Sequence, residues 1–451
     1  MSVHPIEFRY FSDEMKSLFT EEAKLQNWLD VEAALARAHA RLGRIPKSAA
    51  AEIGRKASLK YVRLERVKEI EEKIHHDLMA MVKALTEKCS GQAGKYVHLG
   101  ATSYDIEDTA LALQLASALV VIRRQVSLVE KILLDLAARH KELVCVGRTH
   151  GQHAVPTTYG LKFAIYACEF SRHLERLVEA EKRIKSGKMT GAVGTQASFG
   201  KNAQKLQKLI MKDLGLEPVA VANQVIQRDR HAEVVFCLAL IAGSTEKIAR
   251  EIRNLQRTEI GEVYEPFGSG QVGSSTMPQK RNPHKSERIC SLARIIRALV
   301  APSLENISLE HERDLTNSAA ERVVFPEAFI LTDYVLRELK DILARLDIKK
   351  ENIRRNLEFT GGMIMSERIM IELVARGMGR QEAHELLRQA AGEAFTSKKP
   401  FREVLLGNKR LSEYLNAKDL DRCLKPENYI GTAVKQVENA VADLRRKVVK
   451  T

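Results

Sequence analysis

The sequence predicts an all-α protein built mainly from long amphipathic helices. Residues 101–146 contain no glycine or proline, the two residue types that most strongly interrupt helices. Within that stretch, apolar residues recur every three or four positions, which is the period of one helix face. Aromatic residues make up only 5% of the chain. The core must therefore be built from aliphatic side chains, which favours helix packing over sheet packing.

The apolar residues of this stretch form a seam like that of a coiled coil. They are Leu111, Leu115, Leu119, Ile122, Val126, Val129, Leu133 and Leu136. A helix of roughly 30 residues spans about 45 Å, far more than the usual globular helix. It cannot bury such a stripe alone, so the sequence predicts a bundle formed within the chain or between chains.

Other segments that are poor in helix breakers predict further helices. The long ones are 161–186, 219–242, 284–301 and 327–360, and the shorter ones include 366–376 and 380–395. No convincing run of alternating strand residues is evident. We predict three parts: an N-terminal helical domain over 1–103, a central bundle over 104–345 with a glycine-rich loop near 264–283, and a C-terminal helical cap over 346–451.

Charge and cysteine content limit the classes of function. The 451 residues carry a formal net charge of +14, which fits a solvated basic surface or an anionic partner about equally well. No zinc finger, RNA-recognition motif or basic tail is evident, so a small anion is favoured over nucleic acid. The six cysteines form no C-x-x-C pair and predict scattered thiols. The sequence has no evident signal peptide or membrane span, which predicts a cytoplasmic location.

The chemically most informative segment is the loop 268–283, GSGQVGSSTMPQKRNP. It holds three spaced glycines, three serines and a lysine, directly before the helix predicted from His284. Its composition fits a mobile surface loop. It also fits a lid that arranges backbone N–H groups and a lysine around an anion.

Three segments, in this order, resemble the signature regions of the fumarase/aspartase superfamily. They are HLGATSYDIEDTA at 98–110, GRTHGQHAVPTTYG at 147–160 and GSSTMPQKRNP at 273–283. Other segments resemble the adenylosuccinate lyases of that superfamily, namely FRYFSDEM at 8–15, KIHHDLMA at 73–80, QVIQRDRH at 224–231 and HERDLTNSAAERVVFPEA at 311–328. The resemblance covers essentially the whole chain and departs at His75, where these enzymes usually have arginine.

The resemblance implies a β-elimination that releases fumarate from adenylosuccinate and from succinyl-aminoimidazole carboxamide ribotide, giving AMP and AICAR. Such a reaction needs a base, stabilisation of a dianionic carboxylate and an acid for the leaving nitrogen. The resemblance implies Ser274 as the base, with Ser275 as the less favoured candidate. It implies His150 as the acid, Glu287 as the carboxylate that pairs with it, and His76 as a further catalytic residue.

The resemblance also implies a set of substrate-binding residues. Lys280, which is also expected to act in catalysis, and Asn282 would bind the succinyl carboxylate whose charge grows in the transition state. The residues implied at the phosphate, for which the planar fork of arginine is well suited, are Arg9, Tyr10, Arg288, Arg313, Ser318 and Arg322. Those implied elsewhere on the substrate are His75, His76, Asp77, His98, Thr102, Ser103 and Gln224.

The superfamily resemblance further implies a homotetramer in which the long helices form the core and different subunits contribute to each active site. The expected partners are anionic nucleotide substrates, with no nucleic acid and no membrane. No metal or organic cofactor is expected, because the histidines form no metal-binding pattern such as H-E-x-x-H.

Several alternatives stay open at this point. Argininosuccinate lyase and carboxymuconate cycloisomerase belong to the same superfamily, and the cycloisomerase is the nearer rival because its loop and cap are similar. It has no phosphate to bind, so the residues implied at the phosphate argue against it. Retention as a structural protein is disfavoured by intact Ser274, His150 and Lys280. A basic nucleic-acid-binding protein would show salt-dependent binding to duplex DNA without lyase activity.

Overall fold

The computed structural model describes residues 3–268, 270 and 272–448. Helices account for most of these residues, which confirms the predicted all-α class. The first helices are α1 (Pro5–Phe8), α2 (Asp13–Ser17), α3 (Glu21–Arg41), α4 (Lys47–Lys56), α5 (Leu64–Ile74) and α6 (Asp77–Lys88). Several begin at a side-chain cap; the hydroxyl of Thr20, for example, accepts the N–H of Ala23 at 3.1 Å at the start of α3.

The long helices predicted from the sequence are present. The middle of the chain contains α7 (Ser103–Arg139), α8 (Tyr159–Ile184), α9 (Ala203–Leu214), α10 (Asp229–Leu255), α11 (His284–Ala298), α12 (Val300–Glu305) and α13 (Thr316–Ala344). Seven of the eight seam residues of α7 are buried, and Leu111 is half-buried. The three-to-four spacing thus identified the buried face of this helix correctly.

The chain ends in helices of ordinary length. They are α14 (Lys350–Glu358), α15 (Ser366–Ala375), α16 (Arg380–Ser397), α17 (Phe401–Gly407), α18 (Lys409–Ser412), α19 (Ala417–Cys423) and α20 (Ala433–Val448). Short 3-10 helices occur at Ala93–Tyr96, Ala197–Asn202, Met363–Met365 and Pro426–Tyr429. Among the described residues, no helix combines the length and the hydropathy that crossing a membrane requires.

Two predicted helix boundaries were wrong. The segment predicted over 219–242 becomes helical only at Asp229, because the chain before it is held by other bonds: the N–H of Ile226 donates to Asp108 at 2.6 Å. The segment predicted over 327–360 is two helices. The first starts at Thr316 and contains Pro326, whose ring removes one helical hydrogen bond without ending the helix.

The sequence showed no convincing run of alternating strand residues, yet the structure contains a few short strands. Strands β1 (Val144–Thr149) and β2 (Gln152–Thr158) form an antiparallel hairpin. Short pairs are formed by β3 (Ser186–Gly187) with β4 (Glu217–Pro218), which are parallel, and by β5 (Val263–Tyr264) with β6 (Asp347–Ile348), which are antiparallel. Gly147 and Pro156 obscured the strand pattern of the hairpin in the sequence. A two-stranded ribbon tolerates such a proline because each strand has a free edge.

The chain folds into two compact units, each made of three separate stretches. The first contains the residues up to 127, 172–245 and 290–338, and the second contains 128–171, 246–289 and the residues from 339 onwards. The first unit has an apolar core around α3, in which Leu29, Leu35 and Met81 are buried. The C-terminal helices of the second unit enclose their own apolar cluster. The three-part division at 103 and 345 stays a prediction.

Gly160 allows α8 to start directly after β2. A Cβ atom on this residue would lie 2.4 Å from the Cα of Lys141 and 2.7 Å from the carbonyl oxygen of Ala137. We predict that Gly160→Ala lowers the free energy of unfolding by about 1–3 kcal/mol, because backbone atoms must move. Gly392→Ala in α16, where the Cβ position is open, is the control and is expected to be neutral or stabilising by up to about 1 kcal/mol. Equal urea midpoints for the two variants would contradict this explanation.

Candidate functional site

His150 lies at the tip of the β1–β2 hairpin. The hairpin closes through a two-residue turn, His150–Gly151, whose φ angles are 54° and 75°. Two positive φ angles are typical of the type I′ turn, which matches the twist of paired strands. Histidine enters this region of backbone space more readily than most residues with a side chain. The exposed imidazole is thus presented to solvent by a short, well-defined turn.

The described part of the glycine-rich loop closes on itself around Ser274. The hydroxyl oxygen of Ser274 accepts the N–H of Thr276 at 3.3 Å and that of Met277 at 3.1 Å. The amide of Asn282 donates to the carbonyl oxygen of Gly273 at 2.8 Å. Amide donors of this kind stabilise negative charge on the oxygen that accepts them. Ser269 and Gln271 of the same loop lie outside the described residues.

Only glycine fits at position 273, because a Cβ atom there would lie 2.0 Å from the carbonyl oxygen of Lys280. The helix that follows, α11, is anchored at its N-terminus by the buried carboxylate of Glu265. This carboxylate accepts the N–H groups of Lys285 and Ser286, each at 3.1 Å. The loop therefore leads into a fixed helix start, where a negative charge is also favoured by the helix dipole.

A basic cavity of about 1000 Å³ opens beside this loop. Lys280, Asn282 and Glu287, all predicted from the sequence, line it together. Its other charged lining residues are Arg250, Arg253, Arg257, Arg281 and Lys349. An excess of cations in a concave surface attracts anions such as dicarboxylates. Arg288 follows Glu287 on α11 and is half-buried.

The structure does not unite all the predicted catalytic groups within one chain. Among the described residues, His150 makes no hydrogen bond or ion pair with Glu287 or Ser274. Glu287 and His150 are both exposed. The expected pairing of the acid with its carboxylate is thus unformed in the single chain.

In the first unit, the N-terminus of α6 meets a side chain from α13. The carboxylate of Asp77 lies 2.7 Å from the guanidinium of Arg322 and 3.7 Å from the ammonium of Lys24. Burial alone would raise the pKa of Asp77, but Lys24 and Arg322 outweigh burial and hold this pKa below its usual range. His76 caps the same helix, since its Nδ1 accepts the N–H of Met79 at 3.4 Å. Three predicted substrate-binding residues, His76, Asp77 and Arg322, are thus brought together.

Tyr104 joins further predicted residues to this group. The guanidinium of Arg313 lies over the Tyr104 ring at 3.8 Å and donates to the amide oxygen of Gln224 at 2.7 Å. The Tyr104 hydroxyl shares a hydrogen bond with Ser318. Thr102, with Ser103, stands at the start of α7, where its N–H donates to Asp105 at 3.0 Å. Sequence reasoning assigned no role to Tyr104, although the residue lies inside a recognised motif.

Two predicted residues, His98 and His75, have well-defined structural positions. The Nδ1 of His98 lies 2.5 Å from the carboxylate of Glu32, which is buried in α3. Burial would lower the pKa of His98, but Glu32 outweighs burial and raises it. His98 therefore anchors the segment before α7 to the core.

His75 ends α5 in the left-handed conformation, with φ of 50°, and is exposed. Substrate contact by either histidine stays a prediction.

Arg9 and Tyr10 lie elsewhere in the single chain. The Tyr10 ring contacts the edge of Tyr334 at 5.6 Å, and the Nε of Arg9 donates to the Tyr10 hydroxyl at 3.2 Å. Tyr334 and Arg322 are both on α13 and are separated by about 18 Å along the helix axis at 1.5 Å per residue. One chain therefore does not bring Arg9 and Tyr10 to Arg322.

A smaller cavity of about 300 Å³ adjoins Arg322 and Ser318 and is also lined by Lys24, Trp28 and Glu107. Burial, together with the charge of Asp77, raises the pKa of Glu107 to about 7. Burial lowers the pKa of Lys24. Sequence reasoning gave neither residue a role, because a charged residue on an amphipathic helix is usually solvated.

Comparison with known proteins gives full-length matches. Residues 7–297 match a family described as lyase, and residues 362–440 match one described as adenylosuccinate lyase C-terminus. An adenylosuccinate lyase from Pyrococcus abyssi is 56% identical over 98% of this chain and 98% of its own. One from Methanocaldococcus jannaschii is 52% identical over 99% of this chain and 97% of its own. The crystal structure of a 3-carboxy-cis,cis-muconate lactonizing enzyme from Pseudomonas putida has a TM-score of 0.90 at 34% identity, covering 98% of this chain and 99% of that one.

The raised pKa of Glu107 predicts that the free energy of unfolding falls as the pH rises. Its pKa of about 7 lies above the ordinary value of 4.5, so the folded chain retains a proton that the unfolded chain has lost. This contribution to stability is complete below pH 4.5 and is lost as the pH rises through 7. We predict that Glu107→Gln, which cannot ionise, gains about 2 kcal/mol in unfolding free energy relative to wild type between about pH 5 and pH 8. The free energies of unfolding are measured with urea. If their difference between the variant and wild type stays constant from about pH 5 to pH 8, the pKa of Glu107 is not raised.

Proposed function

The chain belongs to the adenylosuccinate lyase family of the fumarase/aspartase superfamily, and we propose on this basis that it eliminates fumarate from adenylosuccinate. The reaction breaks a carbon–nitrogen bond and leaves AMP, as a step of purine biosynthesis. The same chemistry applies to succinyl-aminoimidazole carboxamide ribotide, which would give AICAR. The two substrates share a succinyl group and a ribose phosphate and differ in the base between them.

The observation that most favours a nucleotide substrate is the group of Arg313, Ser318 and Arg322 around the N-terminus of α13. Two arginines and a hydroxyl at such a position suit a phosphate. Arg322 is paired with Asp77 at 2.7 Å, so a bound phosphate would replace that carboxylate. Lys24, which lies 3.7 Å from Asp77, could then neutralise it.

A cycloisomerase acting on carboxymuconate is the second candidate, because the muconate lactonizing enzyme has nearly the same fold. A shared fold does not imply a shared substrate. The adenylosuccinate lyases are more similar in sequence, at 56% against 34% identity. Carboxymuconate also has no phosphate to occupy the arginine cluster at α13. Both observations favour the nucleotide substrate.

Ser274 is proposed as the general base. It would take the proton from the carbon beside the succinyl carboxylate, and the two N–H donors to its oxygen support an alkoxide there. Lys280 and Asn282 would bind the carboxylate on which charge then accumulates. As the carbon–nitrogen bond breaks, its electron pair stays on nitrogen, which takes a proton from His150. Glu287 is proposed to hold His150 in the required orientation.

A homotetramer with active sites shared between subunits is proposed for the assembly. Large apolar side chains stay about half-exposed on the long helices, namely Val120, Ile165, Phe236 and Ile295. Such residues on a monomer are typical of a surface that a second chain covers. Sharing between subunits also explains why His150 and Ser274 share no contact among the described residues. The reaction as proposed needs no metal or organic cofactor. A cytoplasmic location and the lack of nucleic-acid partners stay predictions.

Substrate range is tested by following fumarate release. We predict turnover of both adenylosuccinate and succinyl-aminoimidazole carboxamide ribotide, because the succinyl and phosphate ends that the protein binds are common to both. Carboxymuconate is the control substrate and is expected to show no turnover. Conversion of carboxymuconate with neither nucleotide cleaved would overturn the proposed function. Duplex DNA binding without lyase activity would overturn it as well.

Shared active sites predict recovery of activity in mixed tetramers. Ser274→Ala and His150→Gln are each expected to lower kcat by roughly 10²–10⁴-fold, because each removes a proton-transfer group. If the two variants are unfolded together in equal amounts and reassembled, about one site in four receives both intact residues, from different chains. Activity should then approach that fraction of wild type. Ser275→Ala is the matched control and should keep near-normal kcat. Hybrid tetramers that stay as inactive as both parents would place His150 and Ser274 on the same chain.

A further inference from the structure

Four polar side chains form a buried network against the hairpin that carries His150. Its centre is the carboxylate of Glu262, which is fully buried. One oxygen of Glu262 accepts from Arg148 at 2.5 Å and from Asn356 at 2.9 Å. The other oxygen accepts from the Tyr159 hydroxyl at 2.5 Å. Three donors thus satisfy a single carboxylate, which is the condition for burying a charge without a large penalty.

The network holds both strands of the hairpin. Arg148 is on β1, two residues before His150, and Tyr159 directly follows the last residue of β2. The N–H of Tyr159 also donates to the carbonyl oxygen of Leu143 at 2.9 Å, just before β1 begins. Arg148 and His150 are separated by at most about 7 Å of chain. A displacement of Arg148 is therefore passed directly to the imidazole.

The other side of the network is fixed to α14. The side-chain amide of Asn356 donates to the carbonyl oxygen of Ile260 at 2.8 Å as well as to Glu262. Asn352, one turn earlier, donates to the carbonyl oxygen of Gly261 at 2.7 Å. These bonds hold the two residues before Glu262, so the carboxylate has a fixed position from which to bind the hairpin.

Arg148 depends on Glu262 for its charge balance. Nη2 of Arg148 donates to Glu262, while Nη1 is buried and has no hydrogen-bond partner among the described residues. Burial alone would raise the pKa of Glu262, but the bonds from Arg148, Tyr159 and Asn356 outweigh burial and hold it below its usual range. Burial and the charge of Glu262 raise the pKa of Tyr159. At neutral pH, Glu262 is thus an ionised acceptor and Tyr159 a donor.

We propose that Glu262 is a positioning residue for the general acid, acting through Arg148 and Tyr159 on the hairpin whose turn is His150–Gly151. It touches no reacting atom, and its role rests on the proposed function of His150. Proton transfer requires donor and acceptor to meet within hydrogen-bond reach. A shift of about 1 Å at the tip of the hairpin is enough to cost roughly 10²-fold in rate. The alternative is a purely structural role, in which the network stabilises the fold but does not position His150.

A double-mutant cycle with adenylosuccinate distinguishes the two roles. Glu262→Gln keeps the shape of the side chain but removes the charge that holds Arg148. Its kcat is expected to fall roughly 10–100-fold while KM changes less than about threefold, because binding groups are untouched. In a His150→Gln background the same substitution should have no further effect on residual kcat, since it acts through the missing imidazole. Independent, multiplicative losses would overturn the inference.

Hydrogen exchange supplies a readout that does not depend on turnover. Glu262→Gln should accelerate amide exchange across residues 144–158, while exchange in α15–α19, which enclose a separate apolar cluster, stays at the wild-type rate. Asp419→Asn is the matched control, because it disrupts a similar pair, Arg376 with Asp419 at 2.8 Å, within the C-terminal helices. This control should leave both kcat and hairpin exchange unchanged. An unaltered exchange rate over 144–158 in Glu262→Gln would overturn the inference.

Tyr159→Phe keeps the test decisive if Glu262→Gln does not fold. It removes one hydrogen-bond donor and no charge. We expect faster amide exchange over 144–158 and a lower kcat with little change in KM, but the loss of kcat should be smaller than in Glu262→Gln. Wild-type protein that fails to cleave adenylosuccinate would refute the proposed function, and the positioning role with it. Wild-type activity together with faster hairpin exchange but unchanged kcat in the variants would refute only the positioning role.

Discussion

Two buried ion pairs at the start of α7 hold the arrangement on which the proposed phosphate site depends. Asp105 lies 2.5 Å from Lys188, and both side chains are completely buried. Asp108, one turn later, pairs with Arg228 at 2.8 Å, and Arg228 in turn pairs with Glu321 on α13 at 2.7 Å. Removing one partner from such a pair leaves a buried charge uncompensated and typically costs about 3–5 kcal/mol. Arg228 therefore links α7 to the start of α13, while Lys188 holds α7 against the segment that follows β3.

The same turn of α7 presents a second face to the site. Tyr104 and Glu107 alternate with Asp105 and Asp108 along the helix, so the two sets point in different directions. The aspartates reach buried cations, whereas Tyr104 contacts Ser318 and Arg313. Substrate phosphate at Arg322 would enter a site in which Arg322 is already paired with Asp77, and Asp77 also lies near Lys24. Under the proposed function, anion binding would be an exchange of partners, with Asp77 passing from Arg322 to Lys24.

The sequence allowed much of this to be predicted, for identifiable reasons. The seam of α7 was correct because its apolar residues keep a strict helical period over many turns. The hairpin was missed because Gly147 and Pro156 interrupt the alternation that marks a strand. Glu262 was missed because an isolated glutamate carries no local pattern, and its partners Arg148 and Asn356 are far away in sequence. Arg9 and Tyr10 were implied by the resemblance, but Tyr10 packs on Tyr334 in the single chain, so their contact with the phosphate stays a prediction.

Recognition of a nucleotide phosphate by the α13 cluster is the central claim, and one comparison of substrates tests it most directly. The measurement is kcat/KM for adenylosuccinate and for its dephosphorylated nucleoside, with wild type and with Arg322→Gln. Wild type is predicted to prefer the phosphorylated substrate by roughly 100-fold or more, because two or more charge-assisted hydrogen bonds are lost without the phosphate. Arg322→Gln should reduce this preference to about tenfold or less. Equal use of both substrates by wild type, or a preference that survives the substitution, would contradict the account.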